Sequence, residues 1–430
     1  MIANRSARPV PDRRQARARA AFAITIGLLI AGTVPLPAGR ARAIRLIAAA
    51  PEGNRADRDS GSGGYYEGLI GGGGSEGGRN DLALKLLGKP PEWVKFQDAG
   101  VADVRRSDFL QFTLKPGLDR NLSGRAFTTN VFGMRDQAYA RRKPAGTFRI
   151  ALLGSSIDMG WGVATADTYE SRLEGWLNAH AARRGLARRF EVLNFAVAAY
   201  GPAQRLEVYR RKAAAFDPDL VLYSATMLDP RLLEIHLCGL VQNRVDPRHA
   251  FLRRAIREAN LGATDLRRDP YGDLLRKDAV KAKLKPGLWA AIDASLGQLA
   301  ADCRHDGRAL VGLIVPRVGK ADAPAARAEG VARHLAVFGR HGVPTMDLST
   351  AFDGRDPAAL EIAAWDDHPN ALGHKLLFLA LARALVRDPA LYQAVFAADP
   401  PTADDATPTP TLTPWNPAPN GDARLPRIDP

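Results

Sequence analysis

Short apolar runs and longer amphipathic stretches alternate along the middle of the chain. Five runs are rich in β-branched or aliphatic residues, as is typical of strands buried in a parallel sheet: Phe148–Leu153, Phe190–Val197, Leu220–Tyr223, Ala309–Val315 and Thr345–Leu348. Between and after them, apolar residues recur at helical spacing over Tyr169–Arg184, Ala203–Phe216, Trp289–Arg304, Ala326–Arg340 and Ala371–Arg387. This alternation predicts an α/β fold in which helices cover both faces of a doubly wound parallel sheet.

A segment rich in glycine and serine, GSSIDMGWGV (154–163), follows the first predicted strand. In folds of this kind, ligands bind at the carboxyl ends of the strands. A serine between a strand and a helix exposes its hydroxyl beside backbone N–H groups that can hold an oxyanion. The segment lacks the Lys-Ser/Thr of a phosphate-binding P-loop and matches neither G-x-S-x-G nor G-x-G-x-x-G. By itself it fits a structural turn equally well.

A histidine with two neighbouring carboxylates lies just before the last helix, in WDDHPNALGH (365–374). A serine hydroxyl needs a base to take its proton, and that base needs an acceptor on its other ring nitrogen. Ser156, Asp366 and His368 offer these three groups in the chain order Ser, Asp, His. We therefore predict Ser156 as the nucleophile, His368 as the base and Asp366 as the residue that orients the base.

Other interpretations of these residues stay open. Asp367 is the second candidate for orienting His368, and a structural turn is the alternative for Ser156. His374 is expected to pack against the sheet rather than to act in the reaction. A metal site made of Asp366, Asp367, His368 and His374 is disfavoured, because it would need neutral imidazoles in an open geometry.

The two segments resemble the first and last blocks of the SGNH, or GDSL, hydrolase family, which read GDSxTxGxGV and DxxHPN, with a shorter variant DxHPN. The segment NVFGMRD (130–136) is similar to the N-x-x-G-x-R-D element often found before this domain. The resemblance covers roughly residues 105–395. It implies a flavodoxin-like α/β/α sandwich as the single main domain, with Ser156 as the nucleophile and no cofactor or metal required.

The chain departs from the family pattern at four positions. Ser155 stands where the family has the Asp of GDS, and Asp158 where Thr is usual. Ala199, in NFAVAAYG (194–201), occupies the place of the oxyanion-binding glycine, and its N–H can serve if the turn survives. In ATMLD (225–229) the asparagine of the third block is absent, and Thr226 is the candidate replacement. Losing one oxyanion donor costs about 3 kcal/mol, so we expect a reduced oxyanion hole.

These observations predict a serine ester hydrolase. By the resemblance, its substrates would be small acyl esters, such as O-acetyl groups of carbohydrate. One alternative is an O-acyltransferase, which passes the acyl group to a polysaccharide hydroxyl in place of water. Another is a non-catalytic binding module with the same fold, which the departures at Ser155, Ala199 and Thr226 suggest.

Both ends of the chain differ in composition from the middle. Residues 1–43 combine a basic start, an apolar stretch up to Val34 and a small-x-small motif at Ala41–Ala43, as secretory signals do; an uncleaved membrane anchor and a buried helix are the alternatives. Residues 44–104 contain a Gly-rich tether and lead-in, and residues 396–430 are rich in Pro and Thr, as disordered tails are. We expect an exported protein that is periplasmic, on the cell surface or secreted, with a membrane tether if the segment is retained.

The distribution of charge along the chain indicates which partners to expect. Lys and Arg number 60 against 46 Asp and Glu, but the first 45 residues carry nine arginines and one acid. More than half of the excess therefore lies in the first 45 residues, and nucleic acid is not expected as a partner. The basic insertion 230–286 is a candidate lid, acidic-ligand site or solvated helical face, and His236 within it is expected in the core. Export would allow a Cys238–Cys303 disulfide.

Overall fold

A computed structural model describes residues 94 and 96–397 of the chain, with gaps at 123, 319–323 and 364. The predicted export segment, the Gly-rich tether and the tail from residue 398 lie outside the described residues. The strands, in chain order, are β1 (Ala102–Arg105), β2 (Gln111–Leu114), β3 (Asp119–Leu122), β4 (Arg125–Thr128), β5 (Thr147–Leu153), β6 (Arg189–Asn194), β7 (Leu220–Ala225), β8 (Ala309–Ile314), β9 (Thr345–Asp347), β10 (Glu361–Ala363) and β11 (Asp366–Pro369).

Five parallel strands form the central sheet, in the order β6–β5–β7–β8–β9. This order is the flavodoxin-like one, so the α/β/α fold predicted from the sequence is confirmed. The winding direction reverses beside β5, where β5 and β6 run in register at Leu152 and Asn194. Ligands bind beyond the carboxyl ends of the strands at such a reversal.

Helices cover both faces of the sheet. They are α1 (Ser156–Met159), α2 (Tyr169–Arg183), α3 (Pro202–Arg211), α4 (Asp229–Asn243), α5 (Ala250–Glu258), α6 (Lys277–Leu284), α7 (Leu288–His305), α8 (Pro324–Arg340), α9 (Pro357–Leu360), α10 (Ala371–Arg387) and α11 (Pro389–Phe396). β6 stops at Asn194 instead of the expected Val197, because the Ala196 N–H donates to the Asn194 side chain (3.0 Å) and turns the chain. The helix expected to reach Phe216 ends at Arg211 and continues as a short 3-10 turn.

Two apolar cores lie on the two faces of the sheet, and β5 contributes to both. Successive side chains of a strand point to opposite faces, so Ile150 and Leu152 join one core while Ala151 and Leu153 join the other. All four side chains are buried. Burial on both faces thus explains why the run that predicts this strand is mostly apolar.

The core extends to the N-terminal side of residue 105, where the sequence resemblance begins. Phe96 and Val101 are fully buried and belong to the same apolar core as Tyr223 of β7. Two small antiparallel pairs, β1 with β2 and β3 with β4, follow this stretch. Residues 96–104 are therefore part of the folded body.

The insertion 230–286 contains three helices, α4, α5 and α6, whose apolar sides join the core. Leu252, Val280 and Leu284 are buried there. Cys238 of α4 and Cys303 of α7 are also buried, but no disulfide joins them, so the bridge that export would allow is not formed in this structure. In the part of the chain that the structure describes, no helix has the length and hydrophobicity needed to span a bilayer.

Candidate active site

Ser156, His368 and Asp366 form one line of hydrogen bonds at the strand-end edge of the sheet. The Ser156 hydroxyl lies 2.8 Å from Nε2 of His368, and Nδ1 of the same ring lies 2.5 Å from Oδ1 of Asp366. All three side chains are buried. Residues more than two hundred positions apart in the sequence are therefore brought into hydrogen-bond contact, as the predicted serine, base and acid require.

Local structure explains how the chain places each partner. Ser156 is the first residue of α1, immediately beyond β5. His368 lies in β11, and the side chain of Asn370 caps the following helix α10 by accepting from the N–H groups of Leu372 and Gly373 (3.0 and 3.1 Å). A short strand and a capped helix thus fix the backbone on both sides of the imidazole.

Asp366 is the carboxylate that contacts the histidine. Its Oδ1 also accepts from the His368 backbone N–H (3.2 Å), and its Oδ2 accepts from the indole N–H of Trp161 (3.2 Å). Burial acts to raise the pKa of Asp366, but the adjacent His368 and these hydrogen bonds hold it below its ordinary value. The acid therefore stays ionised and can fix the tautomer of the ring.

Asp367, the second candidate for orienting the ring, points elsewhere and pairs with Arg317 at 3.1 Å. Asp366, Asp367 and His368 do place one ligand atom each within 4.8 Å of one another, the arrangement that a metal ion would need. However, both ring nitrogens of His368 are engaged with Ser156 and Asp366, and the Asp367 carboxylate is engaged with Arg317. This bonding fits a proton relay better than a metal site.

Trp161 contacts the candidate site, although the sequence alone does not indicate this contact. Its indole donates to Asp366, and its ring packs edge-on against Phe96 and Phe127, with centroids 5.7 and 6.2 Å away. Both phenylalanines are buried and precede β5 in the chain. Phe96, in a 3-10 turn, and Phe127, in β4, therefore support the acid of the site through the Trp161 side chain.

Arg135 holds the loop that carries Trp161. Its guanidinium donates to the carbonyl of Met159 at 2.8 Å and also to the carbonyls of Gly160 and Val163, and it lies over the Phe127 ring at 4.8 Å. The side chain is buried. The segment 130–136 thus fixes the loop that follows Ser156 through Arg135. This contact is a structural reason for the element to precede the domain.

Replacing Trp161 with Phe should lower kcat by about ten- to a hundredfold. A hydrogen bond to a charged group contributes about 1.5–3 kcal/mol, and Phe keeps the ring packing while removing the donor to Asp366. Trp365→Phe is the matched control, since the Trp365 indole nitrogen is buried without a hydrogen-bond partner. Steady-state kinetics on an acyl ester would measure both; equal losses in the two variants would contradict a positioning role for Trp161.

Two of the departures from the family pattern contact each other. The carboxylate of Asp158 accepts from the backbone N–H of Ser155 (2.7 Å) and from the hydroxyl of Tyr169 (2.6 Å). Burial raises the pKa of Asp158 above its ordinary value, although these hydrogen bonds oppose the shift. A Cβ at Gly154 would lie 2.2 Å from the Asp158 carboxylate, so only glycine fits before this turn. Ser155 and Asp158 together fix the turn that presents Ser156.

Ala199 adopts the left-handed conformation that its glycine counterpart would favour, with φ of +65°. It follows β6, whose carboxyl end lies beside that of β5. Its backbone N–H makes no hydrogen bond within the described residues. A buried N–H without a partner is rare in folded proteins, so this group is a candidate donor to a ligand atom.

Replacing Ala199 with Gly should stabilise the protein by up to about 1 kcal/mol and preserve activity, because glycine relieves the cost of a left-handed residue. Ala198→Gly is the matched control; Ala198 does not have a positive φ, so it should lose about 0.5–1 kcal/mol through chain entropy. Denaturant unfolding would measure both changes. A loss of stability in Ala199→Gly equal to that of the control would refute the strain.

Thr226, the candidate replacement for the missing asparagine, is engaged in its own turn. Its hydroxyl oxygen accepts from the N–H of Leu228 (3.2 Å), and its hydroxyl lies 3.4 Å from Oδ1 of Asp229. Asp229 is itself held by Arg205 through two hydrogen bonds of 2.9 and 2.8 Å. These contacts fix the start of α4, and a part for Thr226 in oxyanion binding stays a prediction.

The two other histidines considered from the sequence pack in the interior. His374 stacks on the ring of Tyr169 and its Nδ1 accepts from the Tyr169 N–H (3.2 Å); burial and nearby positive charge lower its pKa to about 3. Nε2 of His236 lies 2.8 Å from the Phe109 carbonyl, and burial lowers its pKa to about 4. Both rings are therefore neutral at ordinary pH.

A cluster of buried acids lies behind the site, around the end of β6. Asp136 accepts from the backbone N–H of Asn194 (2.9 Å), and the Tyr139 hydroxyl donates within the cluster, 2.8 Å from Glu174. Glu170 lies 3.3 Å from the Asn194 side-chain nitrogen. Burial, with a contribution from Glu174, raises the pKa of Asp136 to about 8, and burial also raises the pKa values of Glu170 and Glu174.

The stability of the protein should therefore fall as the pH rises from about 4 to about 8. In that pH range the folded Asp136, whose pKa is raised from 3.8 to about 8, keeps a proton that the unfolded chain has already released. Each rise in pH therefore lowers the free energy of unfolding. Asp136→Asn should flatten this dependence, whereas the control Asp119→Asn, at an exposed strand position, should not. Thermal unfolding over this pH range would measure the slopes; identical slopes in all three proteins would contradict the account.

No family model matches the chain, and no curated protein does either. Among solved structures, it is similar to LAE5, an alpha/beta hydrolase enzyme from the metagenome of Lake Arreo in Spain, with 18% identity over 55% of this chain and 94% of that one and a TM-score of 0.35. A lipolytic protein of the G-D-S-L family from Desulfitobacterium hafniense shares 11% identity over 55% and 99% of the two chains, with a TM-score of 0.33.

A third similar structure is a catalytic mutant of Axe2, an acetylxylan esterase from Geobacillus stearothermophilus, with 16% identity over 55% of this chain and 94% of that one and a TM-score of 0.37. The similar solved structures named here are thus esterases and hydrolases, including the G-D-S-L type. For this chain, the fold rests on its own strand order and the site on its own hydrogen bonds.

Proposed function

We propose that this protein is a serine ester hydrolase with Ser156 as nucleophile, His368 as general base and Asp366 as the group that orients the base. One observation carries the proposal: the unbroken line from the Ser156 hydroxyl through both ring nitrogens of His368 to Asp366, with separations of 2.8 and 2.5 Å. A serine hydroxyl in such a line becomes a nucleophile toward a carbonyl carbon.

The reaction follows from these contacts. Nε2 of His368 takes the Ser156 proton as Oγ attacks the ester carbonyl, and the carbonyl oxygen becomes an oxyanion. When the carbonyl reforms, the bond to the alcohol breaks and His368 returns the proton to the departing oxygen. Water, deprotonated by the same ring, then attacks the acyl-enzyme, releasing the carboxylic acid and restoring the serine.

The backbone N–H groups of Ser156 and Ala199 are the proposed oxyanion donors. Two features support this assignment. Ser156 follows β5 and Ala199 follows β6, whose carboxyl ends lie side by side. The N–H of Ala199 also makes no hydrogen bond within the described residues. The family's third donor, an asparagine, has no counterpart in this sequence. We expect turnover below that of an enzyme with three donors, since each one contributes about 3 kcal/mol.

The proposed substrates are small acyl esters, including O-acetyl groups of carbohydrate, met outside the cytoplasm after export directed by residues 1–43. Ser156 and His368 are each only 4% exposed, which favours a short acyl group over a long chain. The sequence resemblance points to the same class of substrate.

Turnover of p-nitrophenyl esters of increasing acyl length would test this function. We expect acetate to be cleaved faster than long-chain esters, with free acetate as the product even when an acetylatable glycan is added. Transfer of acetyl to the glycan would instead identify an acyltransferase. No turnover of any ester above a Ser156→Ala sample would favour the non-catalytic binding module.

A further inference from the structure

A hairpin in the insertion exposes large apolar side chains. Residues 266–276, here called the exposed hairpin, carry Leu266, Tyr271 and Leu275, which are 39%, 92% and 56% exposed. Six large apolar side chains are exposed in the part of the chain that the structure describes, and half of them lie on this hairpin. Burying such side chains in water-free surroundings is favourable.

Backbone pairing and hydrogen bonds hold the tip of the hairpin in an exposed position. Arg268 and Leu274 pair across it, and the Asp269 carboxylate accepts from the N–H groups of Tyr271 (2.9 Å) and Asp273 (2.8 Å). The Arg268 guanidinium also donates to the Val241 carbonyl (3.0 Å) at the end of α4. Tyr271 is therefore exposed on an ordered turn.

The positive charge of the folded body is concentrated around this hairpin. Residues 244–286 carry twelve Lys and Arg against six Asp and Glu, an excess of six. The first 45 residues have an excess of eight, and the whole chain has a net charge of +14. The remainder of the chain is therefore neutral in sum, so this segment carries the net positive charge of the chain after residue 45 and would attract an anionic partner.

An open cleft of about 500 Å³ joins the charged and apolar parts of this surface. It is lined by three arginines, Arg244, Arg257 and Arg268, with Leu266 and aliphatic residues of α4 and α5, and by no acid. Arg244 and Arg257 are exposed and form no ion pair within the described residues. Two guanidinium groups are thus available to an anion beside an apolar surface.

We propose that the exposed hairpin and this cleft form a docking surface for a bilayer rich in anionic lipids. Leucine and tyrosine side chains are stabilised when they enter the boundary of the hydrocarbon region, and arginine side chains are stabilised there by pairing with lipid phosphates. An acidic polysaccharide or a nucleic acid would use the arginines but leave Leu266 and Leu275 without an apolar partner. The mixture of both side-chain types favours the lipid surface.

The docking surface is separate from the reaction site and does not depend on the proposed function. α4 starts at Asp229, next to the carboxyl end of β7, and ends at Asn243 beside the cleft. A helix of this length spans about 20 Å. A protein docked by the hairpin would therefore keep its strand-end edge clear of the lipid and open to esters near the membrane surface.

A position-specific fluorescent label on the full chain tests the proposal, since the N-terminal segment could bind vesicles by itself. Cys238 and Cys303 are buried, so an environment-sensitive dye can be attached selectively at Tyr271→Cys. Val131→Cys is the control, at an apolar side chain that is 73% exposed and lies outside the insertion. Vesicles of phosphatidylglycerol mixed equally with phosphatidylcholine are compared with pure phosphatidylcholine.

We expect the dye at position 271 to brighten and shift to the blue with anionic vesicles, and the dye at position 131 to stay unchanged. Arg244→Gln together with Arg257→Gln should weaken the response at position 271 about tenfold or more, as should added salt. The proposal is overturned if the fluorescence at position 271 does not change with anionic vesicles, or if it changes equally at positions 271 and 131. It is also overturned if the dye responds to soluble polygalacturonate in place of the vesicles.

Discussion

Substituting Ser156 by Ala is expected to abolish ester hydrolysis, with kcat falling by about 10⁴- to 10⁶-fold. The hydroxyl that His368 contacts at 2.8 Å would be gone, and no second nucleophile is held in that line. What remains is the small rate supplied by binding and by oxyanion donors. Release of p-nitrophenol from p-nitrophenyl acetate measures the loss.

Ser155→Ala is the matched control for that experiment. Ser155 is the neighbouring serine, equally buried, but its observed contact in the turn is a backbone N–H donating to Asp158 (2.7 Å). Alanine retains that N–H, so this variant should keep most of the activity. Comparable losses in both variants would mean that the turn, and not the Ser156 hydroxyl, matters for the reaction.

Asp366→Asn should have the second largest effect, a fall in kcat of about 10⁴-fold with little change in KM. Asparagine fits the space but can present an amide N–H to His368, which would turn the ring to the wrong tautomer. The 2.5 Å contact to Nδ1 and the contact to the Trp161 indole both require an acceptor at this position. Steady-state kinetics and an unchanged thermal unfolding temperature would separate a chemical effect from misfolding.

Asp367→Asn removes the adjacent carboxylate by the same substitution and is the control. Asp367 contacts Arg317 at 3.1 Å, whereas Oδ1 of Asp366 lies 2.5 Å from Nδ1 of the ring. We expect a loss of kcat roughly a hundredfold smaller than that of Asp366→Asn. If Asp367→Asn were the more damaging change, the assignment of the orienting acid would be reversed.

Much of this architecture could be predicted from the sequence because it depends on local patterns. The strands β5, β7 and β8 are mostly apolar and buried along most of their length, and the helices keep their 3.6-residue spacing. The order Ser156, Asp366, His368 and the placement of both segments beyond strands then pointed to one edge of the sheet. The choice of Asp366 over Asp367 agrees with the observed contact, although both acids were candidates.

Other features depend on contacts between distant segments and leave no local signal. The bond between Trp161 and Asp366 joins residues 205 positions apart, and nothing in GSSIDMGWGV distinguishes that indole from a packing residue. Similarly, the pairing of Ser155 with Asp158 becomes visible only when the turn is formed, because each residue alone is merely a departure from a motif. Thr226 is the candidate replacement for the asparagine that the family pattern has in its third block, but its hydroxyl contacts Leu228 and Asp229 within its own turn.

The most direct test of the central claim is the site of covalent modification by a fluorophosphonate probe, read by mass spectrometry of the digested protein. The account predicts a single adduct on Ser156 of the folded chain, and strongly reduced labelling when His368 is replaced by Ala, since the hydroxyl then lacks its base. An adduct on a different residue, or equal labelling with and without His368, would contradict it.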